Sequence, residues 1–342
     1  MRWMKFCAKI AKRDRLRLAA VLFLSLALIP SAFPQETTVR SQVNLVLIPA
    51  LVKDAQGGIV YGLQAKDFIV EDNGVEQPVR LDEAPEGQPI SLVVAIQRGR
   101  RAYAEFPRMQ GLKTMLEPLF ELGTARIALV EFDSHVDLMR NFTRDGSLIR
   151  DDLSNLQAGD EGAVILDAVR YSVKLLQSER DDRLRVLLLI SETRDHGSRQ
   201  KIADSVAAIG QSNVLMYALA FSPGLSNILD TGRGTNKEEM HNGVDFLDLA
   251  YRAAQAMRKN VPSAIASMTG GEYELFATKK KFDVRMNDFT NHLHSRYLLS
   301  IAPKEPHPGL HQIRVRLKDL GGATVFARNS YWAEGTKESG LP

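Results

Sequence analysis

A group of charged side chains follows the apolar run SLVVAI (91–96). It is the loop QRGRR (97–101), which carries three arginines: Arg98, Arg100 and Arg101. A planar guanidinium binds a carboxylate through two parallel hydrogen bonds and needs no metal ion to do so. Two interpretations stay open for this loop. The arginines bind a carboxylate of a partner molecule, or they are solvated and neutralise nearby acids of the chain itself.

Acidic side chains follow two further apolar runs. Asp133 comes directly after ARIALVEF (125–132), and RLRVLLLIS (183–191) leads into three more candidates: Glu192, Asp195 and His196. A carboxylate and an imidazole are the usual general base and acid of a hydrolase, so these four residues form the enzymatic alternative. Because Asp195 and His196 are neighbours on one loop, we expect their side chains to diverge at the surface.

The remaining motifs indicate little further chemistry. His292 and His294 have the spacing of one strand face but no acid beside them, so we expect no metal there. Hydrolase and metalloprotease signatures are missing, and no Gly-rich nucleotide loop follows an apolar run. The polar segment 223–242 is long for a loop and is a candidate part of a binding face.

Two kinds of hydrophobic pattern predict the elements that position these residues. Between Pro89 and Arg296, continuous Val/Ile/Leu-rich runs predict strands buried on both faces, at 90–96, 125–132, 183–191 and 213–221. Segments with apolar residues at helical spacing separate them, at 106–122, 165–177, 202–209 and 246–268. This alternation predicts a doubly wound, mostly parallel α/β sheet. On either side the pattern is β-like, with a hairpin predicted at Asn73-Gly74.

Three segments carry a resemblance to a known family. LLLISETRDHGS (187–198), GAVILDAV (162–169) and SLVVAI (91–96) resemble a von Willebrand factor type A domain, in the order and spacing of that domain. The whole chain after its first residues resembles the VWFA-related secreted proteins of acidobacteria. This resemblance implies that the two β-rich arms pair into one small β-sandwich around the α/β domain. It also implies a Mg²⁺ site above the carboxyl ends of the strands and a role in protein binding or adhesion.

The sequence departs from the family's metal motif at each position. The resemblance implies Asp-x-Ser-x-Ser after the first strand, a Thr in the middle loop and an Asp after the fourth strand. The residues found at the five positions are Gln97, Gly99, Arg101, Ala163 and Glu192. Mg²⁺ requires several oxygen ligands, and an arginine repels it. We therefore predict that this adhesion-type metal site is degenerate and that the protein has no metal cofactor.

Composition and charge limit the class of protein. The 342 residues include 44 Lys and Arg, 41 Asp and Glu and one cysteine, Cys7, which excludes a disulfide framework. A basic start and a twelve-residue apolar run (18–29) predict a secretory signal over 1–35, with an uncleaved anchor as the minor alternative. The remaining residues have 37 basic and 40 acidic groups, which argues against nucleic-acid binding.

These observations predict an exported protein, periplasmic or secreted, that binds a protein partner without catalysis and does not insert into a membrane after signal cleavage. The predicted organisation is a signal peptide (1–35), a β-rich arm (38–87), a von Willebrand A-like domain (88–275), a linking helix (276–292) and a second β-rich arm (293–335). The candidate partner-binding residues are Arg98, Arg100, Arg101, Glu192 and Asp195. Two alternatives are a hydrolase that uses the acidic cluster and a structural subunit of a cell-envelope assembly.

Overall fold

The structure is a computed structural model that describes residues 45–82, 89–100, 102–121, 123–180, 183–221, 246–303, 307–319 and 321–334. The predicted signal segment, Arg101 and the polar segment 223–242 lie outside these residues. Within the described ranges, no helix has both the length and the apolar character needed to cross a membrane.

A six-stranded sheet forms the centre of the α/β domain. Its strands are β5 (Ile90–Gln97), β6 (Ala125–Phe132), β7 (Val136–Thr143), β8 (Leu184–Glu192), β9 (Val214–Phe221) and β10 (Tyr273–Leu275). They lie in the order β10-β9-β8-β5-β6-β7, and β7 alone among them runs antiparallel to its neighbour. Every residue of β5 and β9 is buried, which explains why both read as continuous apolar runs.

Helices cover both faces of this sheet. One face carries α4 (Ile165–Gln177), α5 (Ile202–Gln211), α6 (Phe246–Lys259) and α7 (Val261–Thr269). The other carries a 3₁₀ helix (Ala102–Met109), α1 (Leu112–Met115), α2 (Glu117–Glu121), α3 (Gly146–Ser154) and α8 (Lys279–Leu293). The predicted doubly wound α/β fold is confirmed.

Two of the predicted helices are wrong as single elements. The segment 106–122 is divided into the 3₁₀ helix, α1 and α2. Pro118, in the first turn of α2, lacks the backbone N–H that a continuous helix would use, which accounts for the break before α2; Pro107 lies inside the 3₁₀ helix. The segment 246–268 is interrupted at Asn260, whose side chain accepts a hydrogen bond from the backbone N–H of Ser263 at 3.1 Å and so begins α7.

The sequence patterns did not predict β7 and α3. β7 is an edge strand in which no residue is fully buried, so it has no apolar run to reveal it. α3 begins at Asp145, which accepts a hydrogen bond from the backbone N–H of Ser147 at 2.9 Å. Ile149 is the one fully buried residue of α3, too little for a clear helical period.

The two β-rich arms form a sandwich, as the resemblance implied. The amino-terminal strands are β1 (Val46–Lys53), β2 (Phe68–Asp72), β3 (Val75–Gln77) and β4 (Arg80–Asp82). The carboxyl-terminal strands are β11 (Tyr297–Ile301), β12 (Gly309–Leu317), β13 (Thr324–Ala327) and β14 (Ser330–Ala333). They pair as two four-stranded sheets, β13-β1-β11-β4 and β14-β12-β2-β3, so each sheet takes strands from both arms. The hairpin between β2 and β3 turns at Asn73 and Gly74, with φ angles of 48° and 83°, as predicted.

A buried carboxylate joins the sandwich to the α/β domain. Glu272 lies 2.9 Å from the ammonium of Lys53 in β1, 3.0 Å from His292 in α8 and 3.3 Å from the guanidinium of Arg296. Burial alone would raise the pKa of Glu272, but the hydrogen bond with His292 and the charges of Arg296 and Lys53 lower it to about 2. Glu272 is therefore held as an anion between the two parts of the fold.

Candidate functional site

The carboxyl ends of β5 and β8 meet where the strand order reverses. From β5 the chain continues to β6 on one side and later returns to β8 on the other. Open α/β sheets bind ligands in the crevice at such a point. The two residues that end these strands are Gln97 and Glu192, and we call this place the switch-point crevice.

Gln97 and Glu192 form a closed pair. Both are buried, with 0% and 6% of their surface exposed. The Gln97 amide nitrogen donates to Oε1 of Glu192 at 3.0 Å and to the carbonyl of Gly99 at 3.2 Å. In return, the backbone N–H of Glu192 donates to Oε1 of Gln97 at 2.8 Å. The side chains at the base of the crevice are thus bonded to each other.

Arg100 reaches the same carboxylate from the loop after β5. Its backbone has a positive φ of 56°, and its N–H donates to the carbonyl of Asp160 at 2.6 Å. Its Nε lies 3.0 Å from Oε1 of Glu192, but the N–H is not aimed at that oxygen. The contact is therefore an ion pair and not a hydrogen bond. It brings a cation to the carboxylate at the crevice.

Arg98 lies close to three further carboxylates. Its Nε lies 3.0 Å from Asp133, and its terminal nitrogens lie 3.5 Å from Glu131 and 3.4 Å from Asp137. Burial raises the pKa of Glu131; the charge of Arg98 opposes this, while those of Asp137 and Asp133 add to it. Arg98 thus holds together acids that would otherwise repel one another.

The loops above the crevice are packed too closely for a side chain at position 99. A Cβ on Gly99 would lie 2.1 Å from the carbonyl oxygen of Gly162 and 2.8 Å from the Cβ of Asp133. Gly162 is itself confined, because a Cβ there would lie 2.2 Å from the backbone nitrogen of Ser134. The backbone would have to move before a serine could stand where the resemblance implies one.

The side chains at these positions do not fit the divalent cation that the resemblance implies. Ala163 is buried and offers no side-chain oxygen, and Gln97 already bonds Glu192. Arg100 holds a positive charge 3.0 Å from the same carboxylate. A hard dication needs several oxygen ligands and no competing cation nearby. These side chains offer too few oxygen ligands, and Arg100 is itself a competing cation.

The loop after β8 is hydrogen-bonded to the first turn of α4. Asp195 accepts hydrogen bonds from the backbone N–H of Leu166 at 3.0 Å and from the hydroxyl of Ser198 at 2.6 Å. Asp167, in the first turn of α4, accepts hydrogen bonds from the backbone N–H groups of Arg199 and Gln200, at 2.9 and 2.8 Å. Both carboxylates therefore organise the loop against the first turn of α4.

The four residues of the hydrolase alternative have separate surroundings. Asp133 contacts Arg98, Glu192 contacts Gln97, and Asp195 bonds the start of α4. The His196 side chain is 40% exposed, and its Nε2 lies 3.9 Å from Glu192, beyond hydrogen-bond distance. His196 thus lies at the surface, as expected.

The sequence patterns missed one cluster beside the crevice. Ligand atoms of Asp133, His135 and Asp160 lie within 4.8 Å of one another, close enough to share a metal ion. Ser134 donates its hydroxyl to Asp160 and lies 2.8 Å from Nδ1 of His135. Bonds from Ser134 and from the backbone of Gly162 lower the pKa of Asp160. The signal was present in the run Asp-Ser-His directly after β6, but Asp160 comes from a distant loop.

The pair His292 and His294 is separated by the end of a helix. His292 is buried in the last turn of α8, and its Nδ1 lies 3.0 Å from both oxygens of Glu272. His294 follows the helix, and burial lowers its pKa. An acid does converge on His292, but it comes from the loop before β10.

Comparison with known proteins gives structural matches of low identity. No family model and no curated protein matches the chain. Similar solved structures include the vWF domain of the type V pili tip protein Mfa5 from Porphyromonas gingivalis, 16% identical over 31% of this chain and 38% of that one, with a TM-score of 0.27. The PilB minor pilin from Streptococcus sanguinis, as its D319A mutant, is 13% identical over 63% of each chain, with a TM-score of 0.42. Proximal thread matrix protein 1 from the mussel byssus, with a zinc-occupied MIDAS motif, is 9% identical over 67% of this chain and 48% of that one, with a TM-score of 0.41. The von Willebrand factor domain inferred from the sequence is thus represented among the similar structures.

Proposed function

We propose that this chain is an exported, non-catalytic module that binds a partner protein through the loops at the carboxyl ends of β5, β6 and β8. Binding there is independent of a metal ion, and the protein acts in the periplasm or outside the cell. The observation that carries the proposal is the position of two arginines, Arg98 and Arg100, at the switch-point crevice.

These arginines keep donors for a partner. Arg100 is 33% exposed at its side chain and Arg98 is 22% exposed. A guanidinium has five N–H donors. Among the described residues, none accepts a hydrogen bond from the terminal nitrogens of Arg100, whose Nε lies 3.0 Å from Oε1 of Glu192. A partner carboxylate can therefore bind the outward side of the fork while Glu192 stays in place.

The surrounding surface suits a protein partner. Tyr103 follows the arginine loop and is 60% exposed, and Arg194 is exposed on the loop after β8. Tyrosine and arginine are the side chains that most often dominate binding energy at protein interfaces. Arg101, the third arginine of the proposal, follows Arg100 directly in the sequence.

A capture experiment in EDTA tests the binding face. Immobilised wild-type protein, Arg100→Glu and Arg80→Glu are exposed to envelope and extracellular fractions of the source organism. Arg80 is an exposed residue of the edge strand β4 and receives the same change of charge. A protein retained by wild type and Arg80→Glu but not by Arg100→Glu supports the proposal. A protein that Arg80→Glu alone fails to retain would show that the partner binds the edge of the sandwich, as the structural-subunit alternative requires.

A thermal melt tests independence from metal. A ligand that binds only the folded state raises the melting temperature. We expect the same melting temperature in EDTA and in millimolar Mg²⁺, Mn²⁺ or Ca²⁺. A saturable rise that His135→Ala abolishes would instead assign a metal to Asp133, His135 and Asp160, and the metal-independent proposal would be wrong.

The enzymatic alternative has its own test. Generic ester, phosphate-ester and peptide substrates are offered to wild type and to Glu192→Gln, which preserves the shape of the crevice. We expect no turnover by either protein. Turnover by wild type that is lost in Glu192→Gln would make the protein a hydrolase.

A further inference from the structure

A cavity lies on the face of the central sheet that is covered by the 3₁₀ helix, α1, α3 and α8. Its volume is about 800 Å³, within the range of about 300–1,000 Å³ that is usual for small-molecule sites. Four elements contribute apolar side chains to its lining: β5 with Ile96, the 3₁₀ helix with Phe106, α1 with Leu112 and α3 with Leu153. We call it the helix cavity.

The buried part of the lining is apolar. Ile96, Met109 and Leu112 all line the cavity and are 2%, 6% and 4% exposed. Around them, Phe106 and Leu153 are half-buried and also line the cavity. A ligand with an apolar body would therefore remove both its own surface and that of these side chains from water, which favours binding.

The cavity is open to solvent at the 3₁₀ helix. Tyr103 lines it, is 60% exposed and packs edge-on against Phe106, with the ring centroids 5.5 Å apart. Ala104 and Pro107 line the cavity from the same helix and are also exposed. A ligand can therefore enter from solvent without a rearrangement of the fold.

The helix cavity has one ammonium group without a carboxylate partner. Lys113 and Lys279 are the charged residues of its lining. Lys279 forms an ion pair with Asp283 at 2.6 Å, so its charge is balanced. Lys113 is half-buried, and its Nζ donates to the hydroxyl of Ser154 at 3.2 Å. Within the described ranges Lys113 forms no ion pair, which leaves two of its three donors for a ligand.

Acidic side chains on the neighbouring helices have other partners. The ion pairs are Glu105 with Arg108, Glu117 with Arg150 and Asp152 with Arg140. Asp151 of α3 is exposed and does not line the cavity. Among the described residues, no carboxylate thus neutralises Lys113, and an anionic group of a ligand would meet an unbalanced positive charge.

We infer that the helix cavity binds a fatty acid, with the alkyl chain along the apolar lining and the carboxylate at Lys113. A flexible chain adapts to walls formed by four separate elements, and a single carboxylate matches a single unbalanced ammonium. The few polar groups of the lining would not satisfy the hydroxyls of a sugar or the phosphates of a nucleotide. The inference is independent of the proposed function, because it uses neither Arg98 nor Arg100.

Calorimetric titration of the full chain tests the inference. Octanoate, decanoate and decyltrimethylammonium are added below the concentrations at which they form micelles. We expect decanoate to bind saturably at one site and about 15-fold more tightly than octanoate, since each buried methylene strengthens binding about fourfold. Decyltrimethylammonium has the same alkyl chain with a cationic head, and it should bind more weakly than decanoate. No saturable binding of decanoate, or equal affinity for the two head groups, would overturn the inference.

Three variants, each checked for folding by its melting temperature, assign the binding to the helix cavity. Ala104→Trp fills the cavity from an exposed position and should abolish decanoate binding. Lys113→Gln removes the ammonium and should weaken decanoate binding roughly fivefold without weakening decyltrimethylammonium. Lys280→Gln removes an exposed lysine of α8 that does not line the cavity, and it should bind decanoate as wild type does. Unchanged affinity for decanoate in Ala104→Trp or in Lys113→Gln would overturn the inference.

Discussion

Introducing the serine that the family's metal motif requires at position 99 should damage the fold instead of creating a metal site. The Cβ of Gly99→Ser would lie 2.1 Å from the carbonyl oxygen of Gly162 and 2.8 and 2.9 Å from the Cβ and Cα of Asp133. Carbon atoms in folded proteins do not approach to less than about 3 Å without repulsion. All three neighbours belong to the backbone or lie next to it, so none can rotate away.

The size of the effect follows from which atoms have to move. The loop must shift by roughly 1 Å to relieve the contact with Gly162, and Gly162 already packs against the backbone of Ser134. Inserting a side-chain atom into a closely packed site costs about 1–3 kcal/mol when side chains can adjust. Because the backbone must move here, we expect about 3 kcal/mol, the upper end of that range. With a urea dependence of about 3 kcal/mol per molar, the unfolding midpoint falls by about 1 M.

Urea unfolding followed by circular dichroism measures this difference, and two variants control it. Gly99→Ala carries the same Cβ without the hydroxyl and should lose as much stability. Gly321→Ser places the same side chain where no atom lies within 4 Å, and it should unfold with wild type. An unchanged midpoint for Gly99→Ser would show that the two loops are not packed as described. A saturable Mg²⁺-dependent stabilisation of Gly99→Ser would show that Arg100 does not exclude a metal from the crevice.

Three further perturbations test the packing of the sandwich and of its contact with the α/β domain. Glu272→Gln should lower the free energy of unfolding at pH 7 by about 3 kcal/mol, since the pKa of Glu272 falls from 4.5 to about 2 on folding. In wild type this stabilisation is complete above pH 4.5 and is lost as the pH falls toward 2. A variant as stable as wild type in urea at pH 7 would contradict the role of Glu272. Burial opposes the protonated form of His311, but its hydrogen bond to Asp72 at 2.8 Å raises the pKa of the imidazole overall. The stabilisation from His311 is therefore present below pH 6.5 and is lost as the pH rises through the higher folded value, and His311→Gln should remove this part of the pH dependence of urea unfolding. Gly270→Ala should lower the melting temperature by several degrees, because φ is +82° there and the new Cβ would lie 2.4 Å from the backbone nitrogen of Arg328; an unchanged melting temperature would contradict that close contact.

Strands buried on both faces were the most predictable part of the fold. The run ARIALVEF coincides with β6, and the runs for β5, β8 and β9 end within one residue of the strands. Burial on both faces demands apolar side chains at successive positions, so the sequence records such strands directly. The edge strand β7 has no such demand, and its polar sequence concealed it. The residues that break the helices, Pro118 and Asn260, were visible in the sequence, but the apolar period continued across them.

The pairing of the arms was predictable only through resemblance. In the sandwich, Val46 pairs with Ile301 and Ala50 with Ala327, partners that more than 250 positions separate. Alternation identifies a strand and its inward face, but it carries no information about which strand lies beside it. The hairpin at Asn73 and Gly74 needed no such help, because the positive φ angles of a tight turn favour those residue types.

The site shows the same division between residue types and their partners. The sequence identified Gln97, Arg98 and Glu192 as the polar residues at the strand ends, and the structure places them together at the carboxyl ends of β5 and β8. It did not determine that Gln97 bonds Glu192 across 95 positions or that Arg98 lies 3.0 Å from Asp133. Such contacts depend on how the loops are packed, and that packing depends on close approaches such as Gly99 against Gly162.

The departures from the metal motif are coupled to one another. A buried Glu192 needs a counter-charge. In place of a metal, the chain supplies Arg100 as the cation and Gln97 as a neutral hydrogen-bond donor. Restoring an aspartate at position 97 would place a second buried carboxylate beside Glu192 with Arg100 to balance both, and restoring serine at position 99 would displace Gly162. No single substitution therefore supplies the crevice with the oxygen ligands of the family's metal motif, and Arg100 keeps a positive charge 3.0 Å from Glu192.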